Sequence, residues 1–175
     1  MKNNIVLTGF MASGKSAVGK ELAKRLGMDF VDSDELIEEK EGIKISQIFR
    51  EKGEPYFREV ETDIIKEVAE CENSVIATGG GVVLKEENMQ ALRDGGTIVC
   101  LSVTPELVLK RTLKDEKRPL LKGEKEEKEK NVRELLAYRT PYYRKADFVI
   151  DTNNLTIEQI TEKIIRYLNE KNGNR

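Results

Sequence analysis

Near the start of the chain an apolar run, NIVLT at residues 4–8, leads into Gly9, Phe10, Met11, Ala12, Ser13, Gly14, Lys15 and Ser16, and then into AVGKELAKRLG. The pattern G-x-x-x-x-G-K-[ST] between a strand and a helix suits a phosphate cradle. Such a loop turns consecutive backbone N–H groups into one concavity that attracts an anion. The helix starting near Lys15 adds its dipole and its unpaired N–H groups. Lys15 would place a point charge on the β- and γ-phosphates, and the Ser16 hydroxyl could ligate Mg²⁺. Taken alone, the loop says only that a nucleoside triphosphate binds.

A second group of residues lies further along. Asp32 and Asp34 sit in VDSD, at the end of a short apolar run. At the C-terminal edge of a parallel sheet they would share an edge with the phosphate loop, where open α/β sheets bind ligands. One carboxylate could help hold Mg²⁺ and the other could take a proton from a substrate hydroxyl. The pair suits an N-cap equally well. Arg58, in GEPYFREVE at 53–61, could be an ordinary surface ion pair or could fork onto a substrate carboxylate. Gly79, Gly80 and Gly81, in ATGGGVV at 77–83, would let backbone approach a ligand closely, with amides binding its oxygens.

The elements that must position these groups alternate. Strands are expected at 4–8, 29–32, 74–78, 97–102 and 148–151. Helices are expected at 15–26, 33–40, 45–52, 55–70, 85–94, 104–113, 131–143 and 156–169. Strands alternating with helices imply an α/β domain with a mainly parallel sheet. Residues 114–130, KDEKRPLLKGEKEEKEK, break the pattern. They read either as a solvated surface insertion or as a mobile lid carrying a functional arginine.

Composition narrows the chemistry. The 175 residues suit one domain, and a formal net charge of −2 lacks the basic excess of a nucleic-acid binder. No apolar stretch approaches the roughly 20 residues of a membrane span, and the N-terminus does not read as a secretory signal. There is no histidine, so a general base must be a carboxylate, Lys, Cys or Tyr. The two cysteines, Cys71 and Cys100, have no metal-ligand spacing; buried, reduced thiols and a cytoplasmic location are expected.

The motifs GxxxxGKS at 9–16, DSD at 32–34, GExxFRxxE at 53–61, GGG at 79–81, RPLL at 118–121 and YRTPYYRKADFVIDT at 138–152 together resemble the shikimate kinase family over nearly the whole chain. The resemblance implies a three-layer P-loop NTPase fold with a five-stranded parallel sheet flanked by helices. It is like the nucleoside monophosphate kinases, with a mobile lid at about 112–125 and a shikimate-binding helical region at about 33–61. The implied reaction is ATP-dependent phosphorylation of the 3-hydroxyl of shikimate.

By motif position Lys15 resembles the γ-phosphate lysine. Ser16 resembles the Mg²⁺ ligand, Asp32 its supporting carboxylate, and Asp34 the residue that orients and deprotonates the acceptor. Arg58 and Arg139 resemble the clamp on the shikimate carboxylate, with Gly79, Gly80 and Gly81 closing the pocket. Phe49, Phe57, Glu61, Pro119 and Leu120 match pocket positions. Arg118 resembles the lid arginine that reaches the phosphates. Arg111 resembles an arginine beside adenine, and Gly9, Ala12, Ser13, Gly14, Ala17 and Asn153 fall at nucleotide-contact positions.

The chain departs from the family pattern at Ala12, often Gly, at Ala17, often Thr, and in DTNNLT at 151–156. That last stretch lacks the Arg and Pro seen near adenine in some relatives. A monomer binding shikimate and ATP, with no nucleic acid and no membrane, is expected. A gluconate or nucleoside-monophosphate kinase and a nucleotide-dependent switch are the alternatives. The paired arginines with GGG disfavour the former, and the lack of a guanine-selecting NKxD element disfavours the latter.

Overall fold

In the computed structural model, residues 2–112 and 125–173 are described. The chain runs β1 (Asn4–Gly9), α1 (Lys15–Leu26), β2 (Asp29–Asp32), α2 (Ser33–Glu41), α3 (Ile45–Glu51), α4 (Gly53–Ala69) and β3 (Ser74–Ala77). A short 3₁₀ turn (Val82–Leu84) follows, then α5 (Glu86–Gly95), β4 (Gly96–Ser102), α6 (Pro105–Thr112), α7 (Lys125–Tyr143), β5 (Phe148–Asp151) and α8 (Ile157–Gly173). The strands form one parallel sheet in the order β2-β3-β1-β4-β5, the five-stranded architecture expected.

The apolar runs of the central strands are buried on both faces, as parallel sheets demand. Alternate residues serve opposite sides. Val6, Ile76, Ile98 and Cys100 face a core shared with Ile37, Ile48, Phe57, Ile64, Ile65, Leu92, Val108 and Val132. Ile5, Leu7, Val75, Val99 and Leu101 face Val18, Leu22, Ile160 and Ile164 of α1 and α8. The sheet is thus the middle of three layers, and β1 lies at its centre with β3 and β4 on its flanks.

The expected elements are all present, with two differences of substance. The charged run is not irregular throughout: its part from Lys125 onward is the start of α7. Spaced ion pairs along one face support that helix, Arg133 to Glu129 and Lys130 to Glu134, and Arg133 also reaches Glu106 on α6. The 3₁₀ turn after the glycine triplet was not anticipated either. Both cysteines are free thiols, Cys100 buried as expected and Cys71 only half-buried.

Candidate active site

The C-terminal end of β1 delivers the phosphate loop. Gly9 has φ +140°, and a Cβ there would lie 2.5 Å from the Leu101 carbonyl on β4, so only glycine lets the loop leave the strand this close to its neighbour. Gly14, at φ +96°, caps α1. The loop is pinned by Ser13 N–H donating to Phe10 O (3.2 Å), while Lys15 Nζ donates to Gly9 O (2.9 Å) and Phe10 O (3.0 Å). Among the described residues, the amides of Met11, Ala12, Gly14 and Ser16 donate to no protein acceptor. They are the donors an anion would collect. Ala12 holds φ +59°, a left-handed conformation unusual for a residue with a Cβ. Its carbonyl accepts from Arg111 Nη1 at 2.7 Å.

The end of β2 brings the two aspartates beside this loop. Asp32 makes the N-cap considered above and also reaches the phosphate loop. Its Oδ1 accepts from Asp34 N–H (3.0 Å), capping α2, and its Oδ2 accepts from the Ser16 hydroxyl (2.6 Å). Asp34 lies two residues on, in the first turn of α2, and its Oδ1 is sealed from solvent without a hydrogen-bond partner. Burial, reinforced by the Asp32 carboxylate and opposed by Lys15, pushes Asp34 up from the ordinary 3.8 to about 6.

Helix α4 supplies the opposite wall. Arg58 Nη1 pairs with Glu61 Oε2 at 2.7 Å, and its Nη2 pairs with Glu54 at 3.0 Å. The guanidinium lies over Phe57, which packs on Phe49 with ring centroids 4.7 Å apart. Glu61 is 2% exposed, and its second oxygen, Oε1, has no partner. Burial raises the Glu61 carboxyl against the pull of Arg58 and Arg139. Arg139, on α7, is buried with its guanidinium over Phe10 and an unpartnered Nε.

The glycine triplet after β3 sits between these groups. A Cβ on Gly79 would be 2.8 Å from Asp34 Oδ1 and 3.0 Å from Glu61 Oε1. One on Gly80 would be 3.4 Å from Arg139 Nη1, from Gly9 O and from Met11 N, and one on Gly81 would collide with Arg58.

A cavity of about 910 Å³ joins the two walls. Of the residues anticipated from sequence, Ala12, Gly14, Lys15, Ser16, Ala17, Asp32, Asp34, Phe49, Phe57, Arg58, Glu61, Gly79, Gly80, Gly81 and Arg139 line it. Gly9 and Ser13 support the loop from behind and do not line the cavity. Arg111 is tied to the loop's outer carbonyl. Asn153 bonds Asp151 and accepts from Thr104, also away from the lining. Arg118, Pro119 and Leu120 fall outside the described residues, as does most of the expected lid. The cavity adds Met11, Glu35, Glu38, Lys44, Ile45, Ser46 and Thr78. Thr78 and Met11 adjoin recognised motifs, but the α3 residues carry no pattern that would have marked them.

The donor set fits a hard cation. Ser16 Oγ and Asp32 Oδ2 are oxygens in contact beside the phosphate loop. No cluster of three or more His, Cys, Asp or Glu able to hold a metal occurs among the described residues. Mg²⁺ is commonly held this way, by one or two protein oxygens together with substrate phosphates.

A triphosphate cradle and a pocket with two arginines and a raised carboxyl, opening on one cavity at the carboxyl edge of a parallel sheet, define a P-loop kinase acting on a small molecule. Comparison with known proteins narrows the class. A family model described as shikimate kinase matches residues 11–169. The shikimate kinase of Thermodesulfovibrio yellowstonii is 50% identical over 163 residues, 93% of each chain. Among solved structures, shikimate kinase from Acinetobacter baumannii in complex with shikimate is 39% identical with a TM-score of 0.93, covering 98% of this chain and 95% of that one. Shikimate kinase from Aquifex aeolicus is 38% identical with a TM-score of 0.83, covering 96% and 97%. The chain belongs to the shikimate kinase family. None of its described helices is long and apolar enough to cross a membrane.

Proposed function

We propose that this chain transfers the γ-phosphoryl group of ATP to the 3-hydroxyl of shikimate, giving shikimate 3-phosphate and ADP, with Asp34 as the base. The observation that carries the reading is the single cavity with the phosphate loop at one end and Asp34, Arg58, Glu61, the glycine triplet and Arg139 at the other. Arg58 and Arg139 would take the acid's carboxylate, where a guanidinium fork gives both charge and orientation. The ring would rest against Phe57 and Phe49. Asp34, at about 6, is mostly ionised at neutral pH and ready to accept a proton.

In the step itself the acceptor O–H proton passes to Asp34, the oxygen bonds to the γ-phosphorus, and the bond to the bridging oxygen breaks with its electrons leaving on ADP. Mg²⁺, when bound, neutralises charge on the phosphates. Lys15 and the loop amides hold them in line, and by resemblance Arg118 would add a further positive charge. Positioning and charge neutralisation are the bulk of what phosphoryl transfer asks of a protein.

We further propose a single kinase unit working as a monomer in the cytoplasm. Both cysteines are free thiols, as a reducing compartment would keep them. The test is ADP release measured with shikimate, gluconate, a nucleoside monophosphate and water as acceptors. Shikimate should be preferred by orders of magnitude in kcat/KM, and turnover with shikimate no faster than with gluconate or water would refute the assignment.

A further inference from the structure

The segment YRTPYYRKADFVIDT contributes more than Arg139. One helical turn after it on α7, and therefore on the same face, lies Tyr143, 6% exposed. Its hydroxyl donates to the Gly80 carbonyl at 2.7 Å, and the Arg139 guanidinium lies beside the same phenol. Burial pushes that phenol well above its ordinary 10, so it keeps the proton it donates. α7 packs on the 3₁₀ turn that follows the triplet, so the contact ties a helix to the loop that forms the cavity floor.

The geometry of the peptide bond gives this contact a purpose. There are no cis peptides, and across a trans peptide the carbonyl and the next N–H point in opposite directions. Anchoring Gly80 C=O to Tyr143 on the buried side therefore turns the Gly81 N–H the other way. Gly80 and Gly81 both line the cavity, and among the described residues neither amide donates to a protein acceptor. A buried amide without an acceptor needs one.

We propose that Tyr143 is a positioning residue for the acceptor: through Gly80 C=O it aims the Gly81 amide, and alongside Arg139 it fixes the wall that receives the acid. This rests on reading the cavity as the shikimate site. Tyr143 does not line the cavity, and because the phosphate loop is held by its own bonds from Ser13 and Lys15, the larger effect of losing its hydroxyl falls on the acceptor side.

The test is Tyr143→Phe, which removes one hydroxyl and leaves the ring packed. The KM for shikimate should rise about five- to tenfold, as expected for one hydrogen bond, while the KM for ATP stays within about twofold. In the unaltered chain labelled with ¹⁵N-glycine, saturating shikimate should shift the Gly81 amide. A shikimate KM within twofold of the parent, an equal rise in both KM values, or a Gly81 amide unmoved by shikimate would each overturn the proposal. The glycine measurement needs no variant, so it can overturn the proposal even where a Tyr143→Phe chain fails to fold. Failure of the parent chain to phosphorylate shikimate would instead remove the functional reading, and this inference with it.

Discussion

Asp34→Asn should inactivate the protein and stabilise it. The carboxyl is raised from 3.8 to about 6 in the folded chain, chiefly by burial. A folded value above the unfolded one means that the native state binds this proton more tightly. Stability from this group is fully present below about pH 4, is lost as pH rises through about 6, and is flat beyond. The difference of about 2 units corresponds to at most about 3 kcal/mol at neutral pH. Only Oδ1 is sealed, and the residue as a whole is half-buried. About 1–2 kcal/mol is therefore the better expectation after screening.

Asparagine removes the charge, and its amide can face the unpartnered Glu61 Oε1 across Gly79. Thermal melts at pH 7.5 should show the variant higher by roughly 2–8 °C, on the usual conversion for a chain of this size. At pH 4.5 the gap should largely close. Turnover with shikimate should drop by about 10²–10⁴, the share a general base supplies, while calorimetric ATP binding persists. In the parent enzyme kcat/KM for shikimate should fall on the acid side with an apparent pKa near 6. A variant that melts no higher at pH 7.5, or that keeps more than about a tenth of kcat, would refute the assignment of a desolvated base.

Arg58→Ala should raise the shikimate KM by about tenfold or more with little change for ATP, and parallel changes in both would contradict the clamp. Ser16→Ala removes the hydroxyl that donates to Asp32 Oδ2. The Mg²⁺ concentration needed for half-maximal rate should rise about tenfold or more, with melting almost unmoved because Ser16 is exposed. Ala12→Gly relieves the left-handed strain at φ +59°, about 1–2 kcal/mol, less the flexibility glycine adds to the unfolded chain, about 0.5–1 kcal/mol. Urea titration should find the variant equal or more stable by up to about 1.5 kcal/mol, and a clear loss would mean that Ala12 is not strained.

Much of the site could be read from the sequence because its parts are local. Gly9 to Ser16 form one turn, and Asp32 and Asp34 sit at the end of one strand. The glycine triplet ends another. What could not be read depends on residues far apart in the chain. Asp32 at once capping α2 and holding Ser16 is visible only when β2 and α1 are set side by side. The α3 residues Ile45 and Ser46 reach the cavity because of how α3 packs, and no spacing announces that. Arg58 looked like either a surface ion pair or a ligand. It is tied to Glu54 and Glu61 and still lines the cavity, which a choice between two roles did not allow for. The helix from Lys125 was hidden by its own composition, since an apolar stripe is the usual helix signal. Its opening turns rely on charge pairs instead. Tyr143 was inside a recognised motif, but its partner is a backbone oxygen 63 residues away, and backbone oxygens leave no trace in a sequence.

A Cβ on Gly80 would meet Arg139 Nη1 and, equally near, Gly9 O and Met11 N of the phosphate loop. Where the triplet passes the phosphate loop, main chain therefore faces main chain, with no side chain of residue 80 between them. A methyl group at position 80 would just be accommodated, whereas a longer side chain would have to find its room between the arginine and the loop, at the place where the two halves of the cavity come closest to sharing backbone.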